Sequence, residues 1–222
     1  MARRAAVLLL VAVTVTGGAA SFRERPPTTG VHRPTAYTLR GGEWETHLGV
    51  GLPVTSPSYW ETKAGLGVGI GGFLQFGIAL SYGRQAGPPP AYMTYSASAK
   101  LRLSLGSDVD LAVPFAASFH DVGMGIEFRY MQIGGVLSIR IDPVSLHGGT
   151  ALGWDNNQGV YIRPYAIADL DFFPNLKVVG EVGFSPVSLA VGAWLRLLDF
   201  LDLKLALTPA PLSASATLYL RL

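Results

Sequence analysis

The residue pair with the clearest capacity for chemistry is Ser118 and His120. Two residues apart on a strand, their side chains are predicted to lie on one face, and a serine hydroxyl beside an imidazole is the minimum for an activated nucleophile. No third group that would orient the imidazole can be identified, although Asn156 and Asn157 follow in a predicted loop. We therefore assign no catalytic residue. Ser118 and His120 remain candidates for a hydrolase, against the simpler interpretation that both are hydrogen-bonded to neighbouring side chains.

The histidines do not suggest a metal site. His47, His120 and His147 are predicted on the same face, but on strands that are not all adjacent, and the chain has no cysteine. The glycine-rich run at 65–69 is not a phosphate loop, because no helix follows it. We expect neither a metal nor a cofactor.

Charged residues of mixed sign form the largest candidate site. Facing charges on neighbouring strands can pair, as predicted for Arg102 with Asp110, Asp171 with Lys177, and Arg196 with Asp202. Two interpretations stay open, namely a charged constriction that selects small solutes and a salt-bridge network that makes one end rigid and closed. The residues, which cluster near one end of their strands, are Lys100, Arg102, Asp110, Arg140, Asp169, Asp171, Lys177, Arg196, Asp202, Lys204 and Arg221.

The elements that must position these residues alternate with a period of two. Between Tyr92 and Leu105 the even positions are mainly Ser, Thr, Lys and Arg, and the odd positions are mainly Ala and Leu. Such alternation over about fourteen residues is typical of a strand with one polar and one apolar face. The segments at 201–208 and 211–222 repeat the pattern.

Runs of this kind predict twelve strands joined by short turns, and therefore an antiparallel meander. Ten or fourteen strands stay open because the pattern changes phase within 125–141, where a bulge near Tyr130 would restore it. The connections are rich in Gly, Pro, Asn and Asp, as at Gly71-Gly72 and Asp142-Pro143. The predicted strands lie at 43–53, 60–70, 73–83, 91–105, 109–120, 125–141, 144–154, 160–172, 175–184, 187–197, 201–208 and 211–222.

The apolar face is predicted to point outward. Twelve strands closed into a barrel enclose a lumen that is hard to fill with side chains alone, so inward-facing Leu, Val and Phe would leave voids. Turned outward, they would contact lipid, and closure would satisfy every backbone polar group there. The sequence predicts an all-β, closed, antiparallel up-and-down transmembrane barrel over 43–222. A soluble secreted β protein is the alternative, because such proteins also alternate.

Aromatic residues near the predicted strand ends support the membrane hypothesis. Strand centres carry mainly Leu, Val, Ile and Ala, so the distribution resembles two interfacial girdles. Aromatic residues also suit strands in general, which is the alternative explanation. The predicted girdle consists of Trp44, Trp60, Tyr82, Phe119, Trp154, Phe172 and Phe184.

The N-terminal 42 residues divide into two segments. Residues 1–20 have two arginines, an apolar stretch and a small-residue end, as in a cleaved signal peptide. Residues 21–42 are rich in Pro and Arg, and either remain loose in the periplasm or enter the lumen as a plug.

Composition excludes several classes of protein. With 49% hydrophobic residues, 14% charged residues and a net charge of +2, the chain is neither disordered nor suited to nucleic acid, because its basic residues form no run.

The signal segment, the alternating strands and the last strand, Thr217–Leu222, together resemble small outer-membrane β-barrel proteins of Gram-negative bacteria, a porin-like class. In that class the last strand is presented to the outer-membrane assembly machinery. This chain ends in Leu222, where many members end in Phe or Trp.

The resemblance implies export to the outer membrane, contact with its lipid, and the short turns on the periplasmic side. It implies a narrow passive channel for small solutes or a closed structural barrel. A lipid-modifying hydrolase is the enzymatic alternative, and the oligomeric state stays open.

Overall fold

The structure is a computed structural model. It describes residues 27, 29, 32–53, 60–84, 91–121, 123, 125–209 and 212–222. The predicted signal peptide at 1–20 and the beginning of the leader lie outside the described residues. In the described part of the chain, no helix is long and apolar enough to cross a membrane.

The described chain is built from twelve strands, as the alternation predicts. Their bounds agree with the predicted ones to within a few residues, because the period of two is a local property of each strand. The strands are β1 (Trp44–Pro53), β2 (Trp60–Ile70), β3 (Leu74–Arg84), β4 (Ala91–Ser104), β5 (Val109–Asp121), β6 (Ile126–Ile141), β7 (Val144–Asp155), β8 (Gly159–Phe173), β9 (Leu176–Phe184), β10 (Val187–Leu198), β11 (Leu201–Pro209) and β12 (Leu212–Arg221).

The strands form one closed barrel in which each strand pairs with its neighbours in sequence. The first and last strands close it in antiparallel register, with Glu45 opposite Arg221 and Pro53 opposite Ser213. Every strand therefore has two partners and the sheet has no free edge, as the hydrocarbon core of a membrane requires. The predicted up-and-down barrel is confirmed.

The two faces of the wall differ in chemistry as predicted. Leu48, Ile78 and Val160 point outward and are 66%, 62% and 75% exposed, whereas Lys100 and Arg196 on the inner face are 7% and 0% exposed. Large apolar side chains left this open to solvent would be costly in water, so the outer face suits lipid.

The phase change in β6 is a bulge. Ser118 pairs with Tyr130 and Phe119 with Phe128, so Arg129 is the extra residue between them. The prediction of a bulge near Tyr130 is confirmed, and it keeps both parts of β6 in phase with the inner face.

The barrel has two unlike ends. We call the end that carries Trp44, Leu222 and the turns at 71–73, 105–108, 142–143, 174–175 and 199–200 the terminal end. The turns at 156–158 and 185–186 lie at the opposite end. We call the corresponding parts of the lumen the terminal half and the open half.

Candidate functional site

Residues 32–40, which we call the strap, lie inside the barrel and reach the lumen from the terminal end. At that end the Thr38 hydroxyl donates to the carbonyl of Gly72 at 2.7 Å. Deeper in the lumen, Thr35, Ala36 and Tyr37 are 2%, 0% and 3% exposed. Residues 35–39 of the strap are therefore enclosed by the wall of the terminal half, whereas His32 reaches the cavity of the open half.

Wall side chains bind the main chain of the strap from several sides. The ammonium group of Lys100 donates to the carbonyls of Thr35 and Tyr37 at 3.2 and 2.7 Å. On β6, the Ser138 hydroxyl accepts the amide hydrogen of Ala36, with 3.0 Å between Oγ and N. These contacts satisfy main-chain groups that would otherwise be buried without a partner.

Further main-chain contacts lie on β3, β8 and β9. Gln75 Oε1 accepts from the amide of Leu39 at 3.2 Å, and the Tyr165 hydroxyl donates to the carbonyl of Pro34 at 3.1 Å. Near the middle of the lumen, one oxygen of Glu181 accepts from the amides of His32 and Arg33 at 2.9 and 3.1 Å.

Two strap side chains occupy pockets in the wall. Arg33 forms an ion pair with Glu181 at 3.3 Å and donates to the Ser188 hydroxyl at 3.2 Å, and its guanidinium lies 5.2 Å from the centre of the Tyr165 ring.

The second pocket holds Tyr37. The guanidinium of Arg140 lies 5.3 Å from the centre of its ring, and the imidazole of His147 meets the ring edge-on at 5.5 Å. The strap is thus held by charge and ring contacts as well as by its main chain.

Close approach of the strap requires glycine at position 69. A Cβ atom there would lie 2.2 Å from the carbonyl oxygen of Arg40 and 2.8 Å from Cβ of Leu39. At position 67, on the same face of β2, the nearest atom to such a Cβ would be 3.5 Å away, an ordinary contact. The wall at residue 69 therefore fits the strap only because a side chain is missing.

Behind the strap, a chain of hydrogen bonds runs across three strands. Ser138 Oγ lies 2.5 Å from His147 Nδ1, and His147 Nε2 lies 2.8 Å from Asp169. Because an ionised carboxylate only accepts, Nε2 carries a hydrogen, and Nδ1 and the Ser138 hydroxyl share the second hydrogen bond. Lys177 in turn binds Asp169 at 2.5 Å and Asp171 at 3.0 Å.

The predicted charged residues are concentrated in the terminal half. The pairs Arg102–Asp110, Asp171–Lys177 and Arg196–Asp202 are all present, at 2.9, 3.0 and 2.8 Å. Arg221 adds a pair with Glu45 at 2.8 Å and approaches Asp202 at 3.7 Å, which links β1, β11 and β12.

Lys204 completes this set, with its ammonium 5.2 and 5.5 Å from the ring centres of Trp194 and Tyr219. The remaining predicted members, Lys100, Arg140 and Asp169, serve the strap or the hydrogen-bond chain behind it.

The open half contains the largest cavity that we describe, about 740 Å³. Its lining combines both signs of charge with rings and hydroxyls, including Glu61, Lys63, Tyr92, Ser118, His120 and Arg129. Its walls can therefore bind polar solutes through hydrogen bonds without strongly preferring anions or cations.

The predicted Ser118 and His120 pair is not formed. His120 Nε2 lies 3.0 Å from the Thr94 hydroxyl, its ring stacks on Tyr92 at 5.4 Å, and Ser118 Oγ has no hydrogen-bond partner among the described residues. Side chains two residues apart on a strand are separated by about 6.7 Å, whereas direct cross-strand neighbours are about 5 Å apart. The register therefore favours Thr94, which lies directly opposite His120.

The three wall histidines that the sequence predicts on the lumen face do not contact one another. His147 belongs to the chain behind the strap, and the ring of His47 lies 5.4 Å from that of Tyr219. Among the described residues, no group of three His, Cys, Asp or Glu side chains could hold a metal ion.

The predicted girdle residues all lie on the outer face near strand ends. At the opposite end, Trp60 contacts Tyr82 at 5.4 Å, and Phe128 lies 5.5 Å from both Phe119 and Trp154. Phe184 lies at that end too, whereas Trp44 and Phe172 lie at the terminal end, 50% and 57% exposed. Phe128 belongs to this cluster although sequence analysis did not select it, because the bulge obscured its face.

Sequence analysis also missed the partners of the strap. Each of these partners lies at a polar position of the alternating pattern, so its place on the lumen face could have been predicted. The partners are Gln75, Ser138, Tyr165 and Ser188. Their contact with the strap could not be predicted, because the alternation within a strand says nothing about where the strap lies.

Comparisons with known proteins agree on the fold. No family model matches the chain, and no curated protein matches it. A solved KdgM porin has a TM-score of 0.59 at 5% identity, over 81% of this chain and 97% of that one. A NanC porin has a TM-score of 0.55 at 7% identity, over 79% of this chain and 97% of that one.

The translocator domain of the autotransporter NalP from Neisseria meningitidis gives a TM-score of 0.50 at 11% identity, over 83% of this chain and 88% of that one. This chain therefore has the closed-barrel fold of outer-membrane porins.

Proposed function

We propose that the protein is an outer-membrane channel for small polar solutes whose terminal half is closed by its own strap. The observation that carries the proposal is the contrast within one lumen, with a cavity of about 740 Å³ in the open half and fully enclosed strap residues in the terminal half. The apolar outer face and the porin fold support membrane insertion. An N-terminal signal peptide, cleaved near Ala20, would deliver the chain to the export pathway.

The mixed charges of the open half suit small solutes selected mainly by size. Lys63 and Arg129 are offset by Glu61, so no ring of one sign lines the cavity. The KdgM porin that has been solved in complex with a disordered oligogalacturonate shares the fold at 6% identity. We do not extend that ligand to this chain, because the lining of this cavity carries an acidic group beside its basic ones.

Lipid contact is proposed for the apolar face and for the two aromatic clusters. The C-terminal strand is the segment that we propose is presented to the outer-membrane assembly machinery. In the closed barrel, β12 pairs with β1.

The direct test is single-channel conductance before and after removal of the strap. A protease site inserted after Gly42, which is exposed and whose position has open space around it, allows the strap to be cut from the folded full-length protein. Mild denaturant then washes the fragment out, and mass spectrometry verifies its loss. We expect no steps from the uncut protein and discrete steps from the cut protein.

The same insertion without protease treatment is the matched control. Steps of equal size before and after cutting would contradict closure by the strap. Silence in both states would contradict the channel and leave a closed structural barrel.

A further inference from the structure

The strap is bound largely through atoms that every peptide possesses. Its carbonyls at Thr35 and Tyr37 accept from Lys100, and its amide at Ala36 donates to Ser138. The main-chain contacts of His32, Arg33, Pro34 and Leu39 with Glu181, Tyr165 and Gln75 extend this pattern along the strap. None of these hydrogen bonds requires a particular side chain on the strap.

These contacts are made by side chains of the wall because the backbone of the wall is already paired. In a closed barrel each strand bonds to two neighbours, so an inner peptide has no free sheet edge to join. The five partners instead come from β3, β4, β6, β8 and β9 and surround the strap. They form a built, polar cradle for one extended chain.

Two pockets add a requirement on side chains. Glu181, Ser188 and Tyr165 surround the guanidinium of Arg33, and Arg140 and His147 contact the ring of Tyr37. The two occupants are four residues apart. The cradle therefore favours a cationic side chain followed, four residues later, by an aromatic one.

We propose that the part of the lumen occupied by residues 32–40 is a binding site for extended peptides, and that the strap is its resident occupant. A peptide with a basic residue and an aromatic residue at this spacing would bind in the place of the strap. The inference deepens the proposed function, because it names a ligand class for the region that the strap closes. It concerns binding and stands apart from conduction.

The test uses folded full-length protein from which the strap has been cut and washed away as above. The first probe is a synthetic peptide with the sequence of residues 32–42. In the second probe, Thr35→Ala and Arg40→Ala are combined, while Arg33, Tyr37, Thr38 and Leu39 are kept. The third probe has the first sequence with N-methyl groups on the amides of Ala36 and Leu39. Fluorescence anisotropy of labelled peptides gives the dissociation constants.

We expect the first two probes to bind within about tenfold of each other, because they present the same main chain, the same two anchors and the same Thr38 and Leu39 side chains to the wall. N-methylation removes two donors and should weaken binding by about tenfold or more. Equal binding of the methylated probe would overturn the proposal, and so would failure of the second probe while the first one binds.

A wall variant provides an independent check. Lys100→Met removes both donors to strap carbonyls, and we expect it to weaken the first two probes by about 10- to 100-fold. Arg84→Met removes one positive charge at the opposite end of β3, where no described contact joins Arg84 to the strap, and should leave both constants unchanged. The methylated probe tests the proposal in the unsubstituted wall, so the result does not depend on the folding of Lys100→Met.

The outcomes also separate this inference from the channel. A cut barrel that conducts but binds none of the probes would overturn the peptide site and leave the channel standing. A cut barrel that binds the first two probes but never conducts would support the peptide site and remove the channel.

Discussion

The two halves of the lumen have the same twelve-stranded wall but differ in how far their charged side chains are buried and paired. In the terminal half, Arg196, Asp202 and Lys177 are 0%, 2% and 2% exposed, and each has an oppositely charged partner. In the open half, Glu61, Lys63 and Arg129 line a cavity of about 740 Å³. Burial without a partner would be expensive, so the pairs are what allow the terminal half to close.

The difference shows that lumen polarity alone does not make a channel. Both halves alternate in the same way, and both carry basic and acidic side chains on the inner face. In the terminal half the strap forms an enclosed second layer, whose main chain takes up wall hydrogen bonds that water could otherwise occupy. Closure is thus a property of the added segment and its partners.

The largest expected effect comes from displacing the strap without cutting it. Gly69→Ala places a Cβ atom 2.2 Å from the Arg40 carbonyl oxygen, so the strap must move, and we expect a silent protein to show discrete conductance steps. Gly67→Ala, on the same face of β2, meets only ordinary contacts and should remain silent. Single-channel recording of both variants tests this difference. If both variants conduct, or if both stay silent, closure of the lumen by the strap is contradicted.

Loss of a buried ion-pair partner should have the next largest effect. Arg196→Ala leaves the buried Asp202 with the more distant guanidinium of Arg221, 3.7 Å away, and we expect the free energy of unfolding to fall by about 3 kcal/mol. Arg163→Ala in the open half removes a half-buried arginine and should cost about 1 kcal/mol or less. Urea unfolding in lipid vesicles measures both values, and similar losses would show that the two halves are not energetically distinct.

Two buried serines provide a matched pair of smaller effects. Ser138→Ala removes the acceptor of the Ala36 amide and the hydrogen bond to His147, and should cost about 1–3 kcal/mol. Ser118→Ala removes a hydroxyl without a hydrogen bond in the described chain, and should change stability by about 0.5 kcal/mol or less.

The same vesicle unfolding assay reports both serine variants. A phospholipid hydrolysis assay on Ser118→Ala adds a second readout, because fatty-acid release that depends on Ser118 would revive the hydrolase alternative.

The smallest effect concerns the outer rim at the open half. Trp154→Leu removes a ring stacked on Phe128 at 5.5 Å, whereas Phe184→Leu removes a ring for which we describe no ring partner. We expect Trp154→Leu to be more destabilising by about 1 kcal/mol, the usual contribution of an aromatic pair beyond its buried area. Unfolding in vesicles tests the difference, and an equal loss would indicate that lipid contact alone governs the rim.

Much of the barrel was predictable because alternation is encoded within each strand. Tyr92 to Leu105 shows one polar and one apolar face without reference to any other segment. The bulge in β6 was predictable for the same reason, since Arg129 changes the phase of the pattern. The short turns then left antiparallel pairing as the only arrangement.

The candidate site was predictable only in part. Three ion pairs follow from charges that approach one another across short turns or adjacent strands. The expected contact between Ser118 and His120 failed because residues on one strand are farther apart than their cross-strand neighbours, and the imidazole bonds Thr94. Choosing between those partners requires the register of β4 against β5.

The sequence by itself determined which side chains of each strand face the lumen and which face outward, because that division repeats every two residues. Only the tertiary structure decided what fills the lumen. Ala36 meets Ser138 across 102 positions of the chain, and Arg33 meets Glu181 across 148. The strap has no periodic pattern of its own, so its place follows from a closed wall that presents donors and acceptors around one extended main chain.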